Sequence, residues 1–172
     1  MRREEIKVCV LRVGGTNCDA ETRRSFEELG VRAEIVHVNE LVKRRNLLTY
    51  SAMVFPGGFS YGDYVRAGAI WAKWISAKLG RELKVFADSG RPILGICNGF
   101  QVLVEAGLLP GFDGVTEYPE AVLATNDPPG YNCRWIHLKH EGRGKCVFTW
   151  MLPEGKVLHL SLIHISEPTR PY

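Results

Sequence analysis

Short β-rich runs alternate with helical patterns between residues 6 and 106, and this alternation limits the possible folds more than any other feature of the sequence. Such an alternation is typical of βαβ units, in which a parallel sheet is covered by helices on both faces. The sequence therefore predicts an α/β fold with a mostly parallel sheet. The predicted strands are Ile6–Val13, Arg32–Val38, Ala52–Phe55 and Pro92–Ile96, and the predicted helices are Asp19–Leu29, Ala67–Leu79 and Asn98–Ala106.

The pattern changes after Pro110. Segments rich in β-forming residues occur there around Glu120–Thr125, Asn132–Leu138 and Lys145–Trp150, without a clear helix between them. We therefore expect a β-rich insert after the last predicted helix. Of the 172 residues, 45% are hydrophobic and 24% are charged, a balance that suits one domain with a sizeable buried core.

Composition and charge argue against several functional classes. Lys and Arg total 22 against 19 Asp and Glu, and the resulting net charge of +3 is too small and too dispersed to indicate a nucleic-acid or membrane surface. No segment resembles a signal peptide or reaches the roughly 18 apolar residues of a membrane span, so we expect a cytoplasmic protein. The five cysteines are widely spaced and include no Cys-x-x-Cys pair, which argues against a disulfide framework or a structural zinc site.

The segment GICNGFQ, residues 95–101, carries the strongest chemical signal. Cys97 lies between a predicted strand and a predicted helix, where a tight turn exposes a nucleophile above the sheet. The positive end of the helix that begins at Asn98 would stabilise the thiolate, and the small residues at 95 and 99 allow close approach of the backbone. The pattern alone leaves an alternative, because a cysteine beside an apolar strand is also typical of an inert core position.

A second glycine-dense segment, Pro56–Asp63, follows directly after another predicted strand. Loops at the carboxyl ends of parallel strands meet at one edge of the sheet, which is where binding sites of such folds lie. Backbone N–H groups of this loop could converge on a developing oxyanion. An ordinary turn between a strand and a helix is the alternative interpretation.

Four segments, taken together, resemble a known family. GICNGFQVL, which starts at Gly95, is similar to the nucleophile motif Gly-x-Cys-x-Gly-x-Gln of class I glutamine amidotransferases. FPGGFSYGDYVRAGAI (Phe55–Ile70) and GGTNCDAE (Gly14–Glu21) resemble, more narrowly, the glutaminase component of phosphoribosylformylglycinamidine synthases. CRWIHL (Cys133–Leu138), following Asn126, fits the same family. The resemblance extends to about residue 160.

This resemblance implies a flavodoxin-like fold and a reaction in which the Cys97 thiolate attacks the side-chain amide of L-glutamine. Ammonia leaves, and water releases glutamate from a covalent thioester. Carried over by motif, Gly57, Gly58 and the backbone N–H of Asn98 would form the oxyanion hole, and Gln101 would help to shape the glutamine pocket. The other four cysteines are interpreted as structural or incidental.

The resemblance also implies partners. In the family, ammonia passes to a synthetase subunit that converts formylglycinamide ribonucleotide to formylglycinamidine ribonucleotide in purine biosynthesis, and a small accessory subunit is expected as well. The segment Phe59–Arg66 is a candidate contact with the synthetase. No metal or cofactor is expected in this chain, because the partner synthetase uses the ATP and magnesium.

The sequence departs from the family near its C-terminus. The family takes a histidine base and its orienting carboxylate from a His-Pro-Glu motif that this chain lacks, so we expect an incomplete triad. His164 and Glu167 have nearly the right spacing, but SLIHISEPTRPY (Ser161–Tyr172) resembles translated sequencing-adapter read-through. We therefore expect an incomplete domain over residues 1–160, poorly soluble or marginally stable, and a non-native tail over 161–172. The histidines weighed as the base are His37, His137, His140, His159 and His164.

Two alternatives from other functional classes stay open at this point. The chain could be a non-catalytic binding subunit or pseudoenzyme that keeps the fold, which the missing base would favour. It could also be a DJ-1-like cysteine-elbow peptidase or stress protein, although proteins of that class share the nucleophile turn and not the segment Phe55–Ile70. Turnover of glutamine rather than of peptides would separate them.

Overall fold

The computed structural model describes residues 2–44, 46–112, 114–124, 126–128, 130–142 and 146–165. The chain divides into two compact units, Met1–Leu123 and Ala124–Tyr172. The expected domain over residues 1–160 and the expected non-native tail both stay predictions, and residues 166–172 of that tail lie outside the described part. No helix in the described ranges is long and apolar enough to cross a membrane.

The first unit contains a four-stranded parallel sheet in the order β2-β1-β3-β4. This arrangement confirms the predicted α/β class. The strands are β1 (Lys7–Arg12), β2 (Arg32–His37), β3 (Ala52–Phe55) and β4 (Ile93–Gly95), and the helices are α1 (Asp19–Glu28), α2 (Val38–Arg44), α3 (Ala69–Asp88) and α4 (Asn98–Glu105). Short 3-10 helices lie at Arg3–Glu5, Leu47–Thr49 and Ser60–Asp63.

Both faces of the sheet are buried, as the central strand β1 shows. Val8 and Val10 belong to one apolar cluster, whereas Cys9 and Leu11 between them belong to another. All four side chains are almost fully buried. Because neighbouring residues of a strand point to opposite faces, a continuous apolar run is expected for a parallel strand covered on both sides.

Helix α3 is longer than the sequence predicted. Its pattern of buried residues continues past Leu79 to Leu83 and Phe86, and Gly80 does not end it. Trp71 is buried in the core as expected, but Trp74 is only partly buried at the core's edge. Helix α2 was not predicted, because its seven residues place Val38, Leu41 and the partly buried Val42 on the core and give too short a pattern to recognise.

The second unit contains two antiparallel strands, β5 (Tyr131–Lys139) and β6 (Val157–Ile165). Strand β5 matches the predicted β-rich segment Asn132–Leu138. The other two segments were wrong where they are described: residues 120–124 form no strand, and residues 146–150 are coil and turn. Strand β6 was not predicted as a strand.

Candidate active site

Cys97 occupies the tight turn between β4 and α4. Its backbone has φ 52° and ψ −112°, a conformation that a residue with a side chain rarely adopts. The neighbouring glycines make the turn possible. A Cβ at Gly95 would lie 2.8 Å from the Gly99 carbonyl oxygen, and a Cβ at Gly99 would overlap the carbonyl oxygen of Phe55. The strand-turn-helix geometry expected from the sequence is therefore present.

The Cys97 side chain is exposed and lies at the N-terminus of α4. Its carbonyl oxygen accepts a hydrogen bond from the Gln101 N–H at 3.2 Å, so the residue caps the helix with its backbone while its thiol remains accessible. The arrangement suits a nucleophile better than a core cysteine.

The glycine loop, residues 56–68, joins β3 to α3 and passes beside Cys97. A Cβ at Gly57 would lie 3.4 Å from the Cys97 Cβ, so the two residues are in direct proximity. The Gly57 carbonyl accepts hydrogen bonds from the N–H groups of Asn17 and Cys18, each at 3.2 Å. Within the described part of the chain, the N–H groups of Gly57 and Gly58 donate to no backbone acceptor. The predicted oxyanion-hole role of these two N–H groups stays a prediction.

Asn98, which follows Cys97, is buried, and its side-chain amide connects the glycine loop to α4. Its Oδ1 accepts the Ser60 N–H at 3.1 Å, and its Nδ2 donates to Asp63 Oδ1 at 3.2 Å and to Gln101 Oε1 at 3.1 Å. The sequence assigned a role only to the backbone N–H of Asn98. Gln101, predicted to shape the glutamine pocket, is half-buried and bonded to this amide.

Cys18 is a site residue that the sequence analysis missed. A Cβ added to Gly57 would lie 3.6 Å from the Cys18 Sγ and 3.4 Å from the Cys97 Cβ. Both cysteines therefore border the same glycine. Partial burial raises the pKa of the Cys18 thiol, and the nearby Glu21, Cys97 and Asp19 raise it further to a smaller extent. Its position in the segment Gly14–Glu21, which resembles the family, was the available signal.

The remaining cysteines differ in accessibility. Cys9 is fully buried within β1. Its burial, and to a smaller extent the negative charge of Glu34, raise the pKa of its thiol to about 12. Cys133 and Cys146 are exposed residues of the second unit. Cys97 and Cys18 are therefore the accessible thiols of the first unit among its described residues.

The histidines weighed as a base are distributed over both units. His37 ends β2, three strand spacings from β4, which corresponds to roughly 14 Å across the sheet. It is the one histidine among the described residues of the first unit, and it does not reach Cys97. His137 and His159 face each other across β5 and β6 with ring centroids 3.8 Å apart, and the His140 ring lies 3.3 Å from the Pro153 carbonyl oxygen.

His164 falls within β6, opposite Asn132, but its side chain is outside the described part of the chain, as is Glu167. The expectation that they do not replace the missing base and its carboxylate stays a prediction. Three or more His, Cys, Asp or Glu side chains do not come together as a metal-binding group anywhere in the described ranges.

The sequence is similar to a defined family and to several curated proteins. A family model for the CobB/CobQ-like glutamine amidotransferase domain matches residues 5–164. Phosphoribosylformylglycinamidine synthase subunit PurQ of Archaeoglobus fulgidus is 48% identical over 168 residues, covering 92% of this chain and 62% of that protein. The PurQ subunit of Pyrococcus furiosus is 42% identical, covering 92% of this chain and 63% of that protein. The chain thus spans less than two thirds of these relatives.

Two solved structures from Thermotoga maritima are similar in fold. PurLQS aligns with a TM-score of 0.74 and 31% identity, covering 94% of this chain and 68% of the matched chain. A glutamine amidotransferase aligns with a TM-score of 0.52 and 19% identity, covering 95% of this chain and 62% of the other. The second likeness concerns the fold alone.

Proposed function

Because the chain belongs to the CobB/CobQ-like glutamine amidotransferase domain family, we propose that it hydrolyses L-glutamine as the glutaminase component of a phosphoribosylformylglycinamidine synthase. The single observation that carries the proposal is the conformation of Cys97. A left-handed backbone between a strand and a helix, with an exposed thiol beside Gly57, is suited to covalent attack on a carbonyl. An inert core cysteine would need neither the strained conformation nor the accessibility.

In the proposed reaction, the Cys97 thiolate attacks the carbonyl carbon of the glutamine side-chain amide, and the former carbonyl oxygen takes the negative charge. The N–H groups of Gly57, Gly58 and Asn98 would donate to this oxygen. The C–N bond then breaks as the nitrogen accepts a proton, so ammonia leaves and a glutamyl thioester remains on Cys97. Water attacks the thioester and releases glutamate and the free thiol.

Gln101 and the glycine loop supply the rest of the proposed site. The Gln101 side chain is held by Asn98 at 3.1 Å and would border the space that receives glutamine. Proton transfers in the reaction require a base, and in the family this role belongs to the histidine of the His-Pro-Glu motif.

The proposed destination of the ammonia is a synthetase subunit. The similarity to PurQ subunits and to PurLQS supports such a partner, and we include a small accessory subunit and a cytoplasmic location in the proposal. We further propose that this chain itself uses no metal or cofactor. Labelling of Cys97 by a glutamine-analogue chloroketone should then proceed at the same rate with and without a chelator.

The test of the function is glutamate release from L-glutamine, measured with a synthetase subunit present. We would compare this chain, a version extended with the family's His-Pro-Glu segment, and the Cys97→Ala variant of each. Activity in the extended version that disappears with Cys97→Ala supports the glutaminase. Activity in the short chain would assign the base to one of its own histidines, and activity in neither would favour a non-catalytic binding subunit.

Neither alternative from the sequence is favoured by the comparisons, whose named relatives are PurQ subunits. A peptidase or stress protein of the cysteine-elbow class would turn over peptides and leave glutamine unchanged. Mass spectrometry after chloroketone labelling adds a direct check of the nucleophile. Preferential labelling of Cys18 over Cys97 would contradict the assignment.

A further inference from the structure

We propose that the Asn98 side chain is a positioning residue that fixes the glycine loop against the nucleophile helix α4. In this arrangement the backbone of Asn98 serves the oxyanion, whereas its amide holds the Gly57 and Gly58 N–H groups at their distance from Cys97. The catalytic consequence of this inference rests on the proposed glutaminase function. The structural part of the inference, that Asn98 attaches the loop to α4, is independent of that function.

The glycine loop needs support because much of its backbone is sterically unfavourable. Three residues with side chains, Tyr61, Asp63 and Val65, have φ values of 53°, 56° and 70°. Residues other than glycine avoid this left-handed region because the Cβ approaches the following carbonyl. A loop with several such residues keeps its shape only if its surroundings hold it.

One set of bonds ties the glycine loop to the turn after β1. The N–H of Phe59 donates to the Gly15 carbonyl at 2.8 Å, and the N–H of Tyr61 donates to the Gly14 carbonyl at 2.9 Å. These bonds fix the loop relative to β1. They do not fix it relative to α4, which carries Cys97 at its N-terminus.

The side chains of Arg66 and Asn98 both join the loop to α4, and the two connections differ in their distance from the thiol. Arg66 forms a two-pronged ion pair with the buried carboxylate of Glu105, at the far end of the helix. Glu105 is eight residues from Cys97, or about 12 Å along the helix. Asn98 is adjacent to Cys97 and reaches Ser60 and Asp63, so it sets the spacing where the reaction would occur.

The chemistry of this junction requires an amide. Ser60 is 3% exposed, so its N–H needs an acceptor within the protein, and Asn98 Oδ1 provides one. Asp63 and Gln101 each present an oxygen, which requires a donor, and Asn98 Nδ2 has two hydrogens for them. Aspartate at 98 could still accept a hydrogen bond from the Ser60 N–H but would repel the Asp63 carboxylate. Alanine could neither accept from Ser60 nor donate to Asp63.

The two halves of the inference can be separated with two alkylating probes on the full chain. A chloroketone analogue of L-glutamine reacts through its carbonyl and therefore depends on the oxyanion donors, whereas iodoacetamide depends only on the accessibility and ionisation of the thiol. For Asn98→Ala we expect chloroketone labelling of Cys97 to fall roughly 10- to 100-fold relative to iodoacetamide labelling. Asn98→Asp keeps the acceptor for the Ser60 N–H but places a buried carboxylate against that of Asp63, so its labelling ratio should fall at least as far as that of Asn98→Ala.

Ile75→Val serves as the matched control, since Ile75 is fully buried in α3 and the change loosens the core while it leaves the hydrogen bonds of Asn98 in place. Its ratio of the two labelling rates should equal that of the unchanged protein. An unchanged ratio in Asn98→Ala would overturn the inference, and an equal fall in Ile75→Val would show that general loosening, not positioning, controls the ratio.

A second measurement tests the attachment without any glutamine chemistry. Exchange of the Ser60 amide hydrogen, followed by NMR, should accelerate at least about tenfold in Asn98→Ala but much less in Asn98→Asp, whereas the Tyr61 amide should change little. Equal exchange at Ser60 in the unchanged protein and in Asn98→Ala would refute the inference. If the unchanged protein shows no preference for the chloroketone, the glutaminase proposal fails while this measurement still decides the attachment.

Discussion

Substituting Gly99 by alanine should destabilise the protein, although alanine is ordinarily the better helix former. The new Cβ would overlap the carbonyl oxygen of Phe55 and lie 2.8 Å from the Phe55 Cβ. The overlapping atom belongs to the backbone of β3, so relief requires a shift of the strand or the helix. Forcing an extra methyl into packed space costs about 1–3 kcal/mol, while the gain in helix propensity is at most about 1 kcal/mol.

We therefore expect Gly99→Ala to lower the free energy of unfolding by about 1–2 kcal/mol. The same shift would disturb the bond from the Ile96 N–H to the Phe55 carbonyl, now 3.0 Å long, directly before Cys97. Labelling of Cys97 by the glutamine-analogue chloroketone should slow as well. Urea denaturation followed by tryptophan fluorescence gives the first quantity, and mass spectrometry gives the second.

Gly80→Ala is the matched control, because Gly80 lies inside α3 and a Cβ there would meet nothing within 4 Å. Only the propensity gain remains, so this variant should be more stable by about 0.5–1 kcal/mol. Its Cys97 labelling should not change. Equal stabilisation by both substitutions would refute the reasoning, since it would mean that the Phe55 carbonyl does not confine residue 99.

Three further predictions follow from buried or charged groups. Cys9, with its pKa raised to about 12, should be alkylated by iodoacetamide only as urea unfolds the chain, as mass spectrometry can show. Arg66→Ala should cost roughly 2 kcal/mol in urea denaturation, more than Glu105→Gln, because it leaves a 5%-exposed carboxylate without its guanidinium. Burial is the largest single influence on Glu34 and alone would raise its pKa, but the hydrogen bonds from Tyr50 and Lys7 and the charges of Lys7 and Arg44 together outweigh it, so the pKa is lowered. Its stabilising contribution is therefore present above the unfolded pKa near 4.3 and lost as the pH falls through the folded pKa; Glu34→Gln should reduce the acid sensitivity of the melting temperature.

Local features of the fold could be predicted from the sequence because their signals are local. The strands of the parallel sheet were located within one residue, since β1, β3 and β4 are short apolar runs bounded by glycine or proline and β2 alternates polar and apolar residues. The turn at Cys97 was recognised because it requires glycine at positions 95 and 99, and both lie within a five-residue motif. The length of α3, the helix α2 and strand β6 were missed, because tertiary packing outweighed weak or interrupted patterns there.

The assembly of the candidate site was decided by tertiary structure. Cys18, Gly57 and Cys97 follow β1, β3 and β4, which are neighbours in the sheet, so three loops distant in sequence meet at one carboxyl edge. The sequence alone named the nucleophile and the glycine loop, and the family resemblance supplied their chemistry. It could not show that Cys18 and Cys97 border the same glycine or that the Asn98 amide bonds to the loop, because strand order and side-chain direction arise only when the sheet forms.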